Sequence, residues 1–166
     1  MKITETDRLI LRLLTVDDAA FILELLNDPS WIQNIGDKGV KTLEDARKYI
    51  LSGPVAMYDR FGFCLYLTEL KEEGSPIGLC GIIKRDVLED VDIGFAFLPR
   101  YWSKGFAYEA ASAVMEYGRS VLGLKRIVAI TAPDNHSSAK VLGKLGLKFH
   151  RMIKFPNDYG EVRFFE

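Results

Sequence analysis

Residues 91–118 read V-D-I-G-F-A-F-L-P-R-Y-W-S-K-G-F-A-Y-E-A-A-S-A-V-M-E-Y-G, and this stretch decides the fold. It opens with a strand, Val91–Leu98, in which Val91, Ile93, Phe95 and Phe97 share one face and Asp92, Gly94 and Ala96 the other. The first face is core. The second is small apart from one carboxylate, which suits a surface that something else approaches closely. Pro99 stops the strand, and a helix is predicted from Lys104 to Leu122, followed by a strand from Arg126 to Thr131. Strand, long helix, strand demands a parallel crossover.

Working outward, Phe61–Leu70 and Ile77–Arg85 are apolar runs joined by K-E-E-G-S-P, a hairpin signature. Arg8–Thr15 reads as the first strand. Thr15 with Asp18 then caps a helix carrying Ala19, Phe21, Ile22, Leu25 and Leu26, which Pro29 ends. Trp31–Val40 is predicted irregular, and Thr42 with Asp45 caps a second helix through Ala46, Tyr49 and Ile50. Beyond the crossover, Asn135 leads into a helix over Ser137–Leu145, closed by Gly146. Leu147–Lys154 and Glu161–Phe165 supply the last strands, the tail Tyr159–Glu166 closing the sheet with Glu161 and Glu166 exposed. The order predicts one α+β domain over residues 1–166. Its sheet is mixed, mostly antiparallel and twisted, with helices on both faces.

Composition narrows the function. Hydrophobic residues make up 48% of the 166, enough for a core without staples. Net charge is −1, so the basic excess expected of a nucleic-acid or acidic-membrane binder is missing. Asp7, Arg8, Arg12, Asp17 and Asp18 interrupt any apolar signal core, and no apolar run approaches the ~20 residues that span a bilayer. Cys64 and Cys80 stand singly in apolar runs, which reads as reduced packing thiols in a cytoplasmic protein. With two histidines, His136 and His150, read as surface or cap residues, and no C-x-x-C pair, no metal site is expected.

The candidate chemistry sits where the strand turns into the helix. A helix N-terminus offers unpaired N–H groups and a positive dipole end for a phosphate, and Gly105 lets a ligand reach the backbone. Ala107, Ala110 and Ala111 let the first turns lie close to the sheet, and Lys104 adds charge. The same residues also fit a close-packed strand–helix turn with no ligand. A second constellation, Asn135-His136-Ser137-Ser138-Ala139-Lys140, opens the next helix after a parallel strand. Two such ends side by side frame a cleft where open α/β sheets bind ligands, although Asn135 or Ser137 also serves as a plain N-cap.

Together these segments resemble the GNAT acetyltransferase superfamily, and within it the RimJ/RimL-like branch of ribosomal-protein-alanine acetyltransferases. The likeness runs from T-D-R-L-I-L-R at Thr6 to the G-L-K-F after Leu145. The family's pyrophosphate signature, R/Q-x-x-G-x-G/A, is met by W-S-K-G-F-A over Trp102–Ala107, with Trp102 in the leading position and Ser103 where glycine is usual. The later N-x-x-S-x-K/R followed by K-L-G-F is met by Asn135, Ser138, Lys140 and Lys144–Gly146, with Leu147 in place of phenylalanine.

The resemblance implies a splayed parallel strand pair holding the pantetheine arm of acetyl-CoA. Phe97, Leu98, Trp102, Ser103, Lys104, Gly105, Phe106, Ala107, Asn135, Ser138 and Lys140 are then its binding residues, and a strand N–H near Phe97 or Leu98 is the oxyanion donor. Ser138 lies near the thioester. Many members carry a tyrosine acid seven residues after the asparagine, but here that position is Leu142. Ser138 or a water then protonates the thiolate, or the thiolate leaves unassisted. Asp92 reads as a base acting through water, or as an ordinary solvent-facing strand acid. Trp31 and Tyr101 read as acceptor-pocket residues, Trp31 equally as a hydrophobic plug. The implied activity is transfer of acetyl to a primary amine, a protein N-terminus or a small molecule such as an amino acid, polyamine or antibiotic. A non-catalytic acyl-CoA-binding module is the reading of a different class. A monomer or homodimer fits either.

Overall fold

The computed structural model describes residues 1–156 and 160–166. Its eight strands are β1 (Lys2–Glu5), β2 (Leu9–Arg12), β3 (Leu65–Leu70), β4 (Pro76–Ile83), β5 (Val91–Phe97), β6 (Ile127–Thr131), β7 (Phe149–Lys154) and β8 (Glu161–Phe165). They form one sheet in the order β1-β2-β3-β4-β5-β6-β8-β7. Every pairing is antiparallel except β5–β6, the crossover that the sequence demands.

The helices are α1 (Ala19–Leu26), α2 (Pro29–Asn34), α3 (Leu43–Ile50), α4 (Ala56–Phe61), α5 (Phe106–Ser120) and α6 (His136–Lys144). α5 packs on one face, where Ala110, Ala111 and Val114 meet Ile82, Ile93 and Ile127 in a single apolar cluster. Its small residues permit the close approach: a Cβ on Gly118 would sit 2.9 Å from Ile82 Cδ1 and 3.1 Å from Ile127 Cδ1. α1 and α3 cover the other face, joining Ile22, Leu25 and Ile50 to Leu67 and Leu79. No helix among the described residues is long and apolar enough to cross a membrane.

Several boundaries differ from those expected. The first strand is shorter, and β1 precedes it; K-I-T-E is too polar to announce a strand and forms because β2 offers an edge. Pro29 begins a helix rather than ending one. It occupies the first turn of α2, where its missing N–H costs nothing, and Asp28 caps that turn by accepting from Ser30 N–H at 2.9 Å. Trp31–Asn34 are therefore helical, not irregular. Phe61 ends α4 instead of opening a strand, with Gly62 at φ +81° terminating the helix. The Thr15–Asp18 and Thr42–Asp45 caps form as expected. Cys64 and Cys80 are buried free thiols, and burial pushes Cys64 up to about 12. Glu161 is exposed, but Glu166 is half-buried, paired with Arg126 and 3.1 Å from His150 Nδ1. Tyr159, where the tail was expected to begin, lies outside the described residues.

Candidate active site

β5 and β6 pair only at Val91–Ile127 and Asp92–Val128. Past that point they diverge, leaving Gly94, Phe95 and Ala96 half-buried along an open edge. The gap widens into a cleft of about 950 Å³ lined by the starts of α5 and α6 on one side and by α2 and α3 on the other.

The β4–β5 ladder fixes which backbone groups face the gap. Leu98 N–H donates to Ile77 O at 3.0 Å. Residues along an antiparallel pair alternate between bonding the partner and turning away. In this register Gly94, Ala96 and Leu98 bond β4, while Phe95 and Phe97 turn their N–H and C=O toward the splay. Leu98 is thus corrected as an oxyanion donor: its amide is already used, and the residue is 1% exposed in the core outside the cleft. The Phe97 carbonyl is occupied too, by Trp102 Nε1 at 2.8 Å. Trp102 in the leading motif position therefore pins the β5–α5 loop to the strand. Phe97 N–H and both Phe95 groups stay open, and polar backbone in a cleft needs ligand or water as partner.

α5 begins at Gly105, whose φ is +81°, and no side chain caps it. Its first N–H groups are left for an anion at the positive end of the helix dipole. Ser103, just before, holds a φ of +61° that favours glycine. Gly105, Phe106 and Ala107 line the cleft; Lys104 is exposed beside it and does not. At the start of α6, Asn135 Oδ1 accepts from Ser138 N–H at 3.2 Å. Its role as N-cap is therefore real, and it leaves the Nδ2 donor for a ligand. Ser138 is half-buried on the cleft wall, Lys140 is exposed along it, and Leu142 is buried. Thr131, at the end of β6, adds a buried hydroxyl without a hydrogen-bond partner among the described residues. It was missed in the sequence, although its place at a parallel strand's carboxyl end was the available signal.

At the other end lies Asp92, 1% exposed, its carboxylate oxygens 3.1 and 3.3 Å from Arg85 Nε. It is not a solvent-facing strand acid. Burial raises its pKa to about 6, against the pull of Arg85 and Lys84. Trp31, 5% exposed, packs in the α1–α3 cluster and also lines the cleft, its Nε1 unpartnered among the described residues. The plug and the pocket wall are the same side chain. Tyr101 is half-buried where the two clusters meet. Tyr49, not singled out in the sequence, completes this wall; burial pushes its phenol up to about 12 while Arg85 pulls it down.

A sheet split at a parallel pair, with an uncapped glycine-led helix at the split, defines an acyl-CoA-dependent transferase. The sequence matches the acetyltransferase (GNAT) domain over residues 8–148, and the chain belongs to the GNAT acetyltransferase family. The donor this family uses is acetyl-CoA. The chain is similar to the uncharacterized N-acetyltransferase YoaA of Bacillus subtilis (strain 168), 32% identical over 92% of this chain and 86% of that protein. Among solved structures it is similar to a GNAT-family acetyltransferase from Bacillus anthracis. The TM-score is 0.81 at 26% identity, covering 99% of this chain and 96% of the other. RimL, a ribosomal-protein α-N-acetyltransferase solved with coenzyme A, shares the fold at TM-score 0.84 and 18% identity, covering 99% of this chain and 96% of RimL.

Proposed function

We propose that this acetyltransferase modifies an α-amine, with a protein N-terminus as the principal acceptor and a small-molecule amine as the alternative. In this reading the pyrophosphate of acetyl-CoA rests on the N–H groups of Gly105–Ala107. Asn135 Nδ2 holds the arm, and the thioester lies between Phe97 and Ser138. The neutral amine attacks the thioester carbonyl carbon. Phe97 N–H donates to the oxygen that gains charge. The C–S bond then breaks, and the sulfur takes a proton from a water or through the Ser138 hydroxyl, which is reprotonated by water in the same relay. The proton released by the amine passes through water to Asp92.

The single observation that carries the α-amine choice is the proton inventory of the cleft. Leu142 is buried where a tyrosine acid would stand, and the one carboxylate at the acceptor end among the described residues, Asp92, is tied to Arg85. A thiol leaving group with pKa about 8.5 needs only mild assistance. Deprotonating a lysine amine of pKa about 10.4 at pH 7 costs roughly 4–5 kcal/mol, whereas an α-amine near 7.8 costs about 1. Such a site suits the second. The test compares peptides with a free N-terminus against N-blocked peptides carrying an internal lysine, product masses being read directly. Faster acetylation of the free peptide is expected. Equal rates on the blocked lysine peptide would reject the α-amine reading.

A further inference from the structure

We infer that the acceptor of this enzyme carries a carboxylate close to its amine, and that Arg85 receives it, helped by Tyr49 and Trp31. The inference rests on the transferase reading above and deepens it.

Arg85, Tyr49 and Trp31 present donors to the cleft. Arg85 spends only Nε on Asp92; among the described residues its two terminal nitrogens make no hydrogen bond, and about a third of the side chain is exposed. Asp92 therefore acts on Arg85 as a buried anchor that fixes the guanidinium plane, and the free fork matches the two oxygens of a carboxylate. Tyr49 stands in the field of Arg85, and burial keeps its phenol protonated, a donor, well above neutral pH. Trp31 Nε1 is a buried donor with no partner among the described residues, in a residue 5% exposed, within the cluster that Tyr49 packs against. An indole N–H can only donate, so an orphan at a cleft wall calls for an acceptor atom from the ligand.

The charges agree. Arg85 and Asp92 neutralise each other, and the exposed Lys38 then leaves this end with a positive charge among the described residues. A polyamine brings a second ammonium against Arg85 and Lys38. A carboxylate brings the missing partner. The same chemistry is offered by a free amino acid or by a peptide with an acidic residue next to its N-terminus.

Matched acceptor pairs test this with wild-type protein and acetyl-CoA: a free amino acid against its carboxamide, a peptide with glutamate at its second position against the glutamine version, and spermidine. The carboxylate member of at least one pair should exceed its neutral twin by about 10- to 100-fold in kcat/KM, the usual range for losing one charge-assisted bond. Which pair responds identifies the source of the carboxylate. Arg85→Lys should shrink that ratio and Tyr49→Phe should reduce it less, coenzyme A affinity serving as the check that each variant is folded. Twins acetylated equally by wild type, or spermidine preferred to both, would overturn the inference and leave the transferase standing. Turnover of none of these acceptors, in protein that binds coenzyme A, would overturn the proposed transfer to an α-amine and this inference with it.

Discussion

Arg8 and Glu109 join the first hairpin to the first turn of α5: Glu109 accepts from Arg8 Nε at 2.8 Å and from Arg8 N–H at 3.1 Å. Thr6 Oγ1 donates to the same carboxylate. The opening motif T-D-R-L-I-L-R thereby acquires a physical reason. Thr6 and Arg8 hold the start of α5, where the phosphate cradle is proposed, and Arg12 bonds both Asp18 oxygens and Glu69.

Glu109→Gln should weaken coenzyme A binding, although Glu109 lies outside the cleft, because the α5 N-terminus loses its tether. The stability loss should be about 1 kcal/mol, reduced by the half-exposed position of Arg8. Burial raises the Glu109 pKa, but the bonds from Thr6 and Arg8 outweigh it and hold the carboxyl below its usual range. Its contribution is therefore present above the ordinary glutamate pKa and lost as pH falls through the depressed one. Denaturant melts from neutral to acid pH should show wild type and variant converging.

Gly105→Val should abolish cofactor binding while the domain still folds. The nearest atom to an added Cβ is Arg8 Nη2 at 3.4 Å, so packing tolerates it, and the penalty is the positive φ, about 1–2 kcal/mol. Gly105→Ala carries the same backbone penalty with less bulk toward the phosphate. If calorimetry shows both variants folded and binding coenzyme A as wild type does, the phosphate cradle is misplaced.

Ser103→Gly should stabilise the protein. The residue holds φ +61°, a conformation costing a side chain roughly 1–2 kcal/mol, part of which returns as extra unfolded-state entropy for glycine. A net gain of up to about 1 kcal/mol corresponds to a Tm rise of about 2–4 °C. A lower Tm would mean that the Ser103 side chain makes a contact worth more than the strain.

Asp92→Asn and Ser138→Ala should each slow turnover by roughly ten- to a hundredfold, with coenzyme A affinity near wild type in the aspartate variant. With the Asp92 pKa near 6, log kcat/KM should steepen below pH 6 in wild type, where both amine and base are protonated, but not in Asp92→Asn. Stability runs the opposite way. A raised carboxyl pKa contributes most below the unfolded value and is lost as pH climbs through about 6. A pH–rate profile unchanged by Asp92→Asn would remove Asp92 as the base.

The sequence by itself determined the cofactor half. The Val91–Thr131 crossover, the glycine at Gly105 and the cap at Asn135 are local signals, each written in a few consecutive residues whose backbone preferences act without the rest of the chain. It misplaced Pro29 and Phe61 because proline reads alike as a helix stop and a first-turn residue, and because an apolar run near a helix end carries no period long enough to separate helix from strand. Only the tertiary structure brought together the proposed acceptor half. Trp31, Tyr49 and Asp92 come from three elements and Arg85 from the loop after β4, yet all four line one cleft, so no spacing announces them. Whether Asp92 is a surface acid or a buried, anchored carboxylate depends on what covers the second face of β5. A strand's alternation says which residues share a face; the elements that pack there decide whether that face meets water or protein.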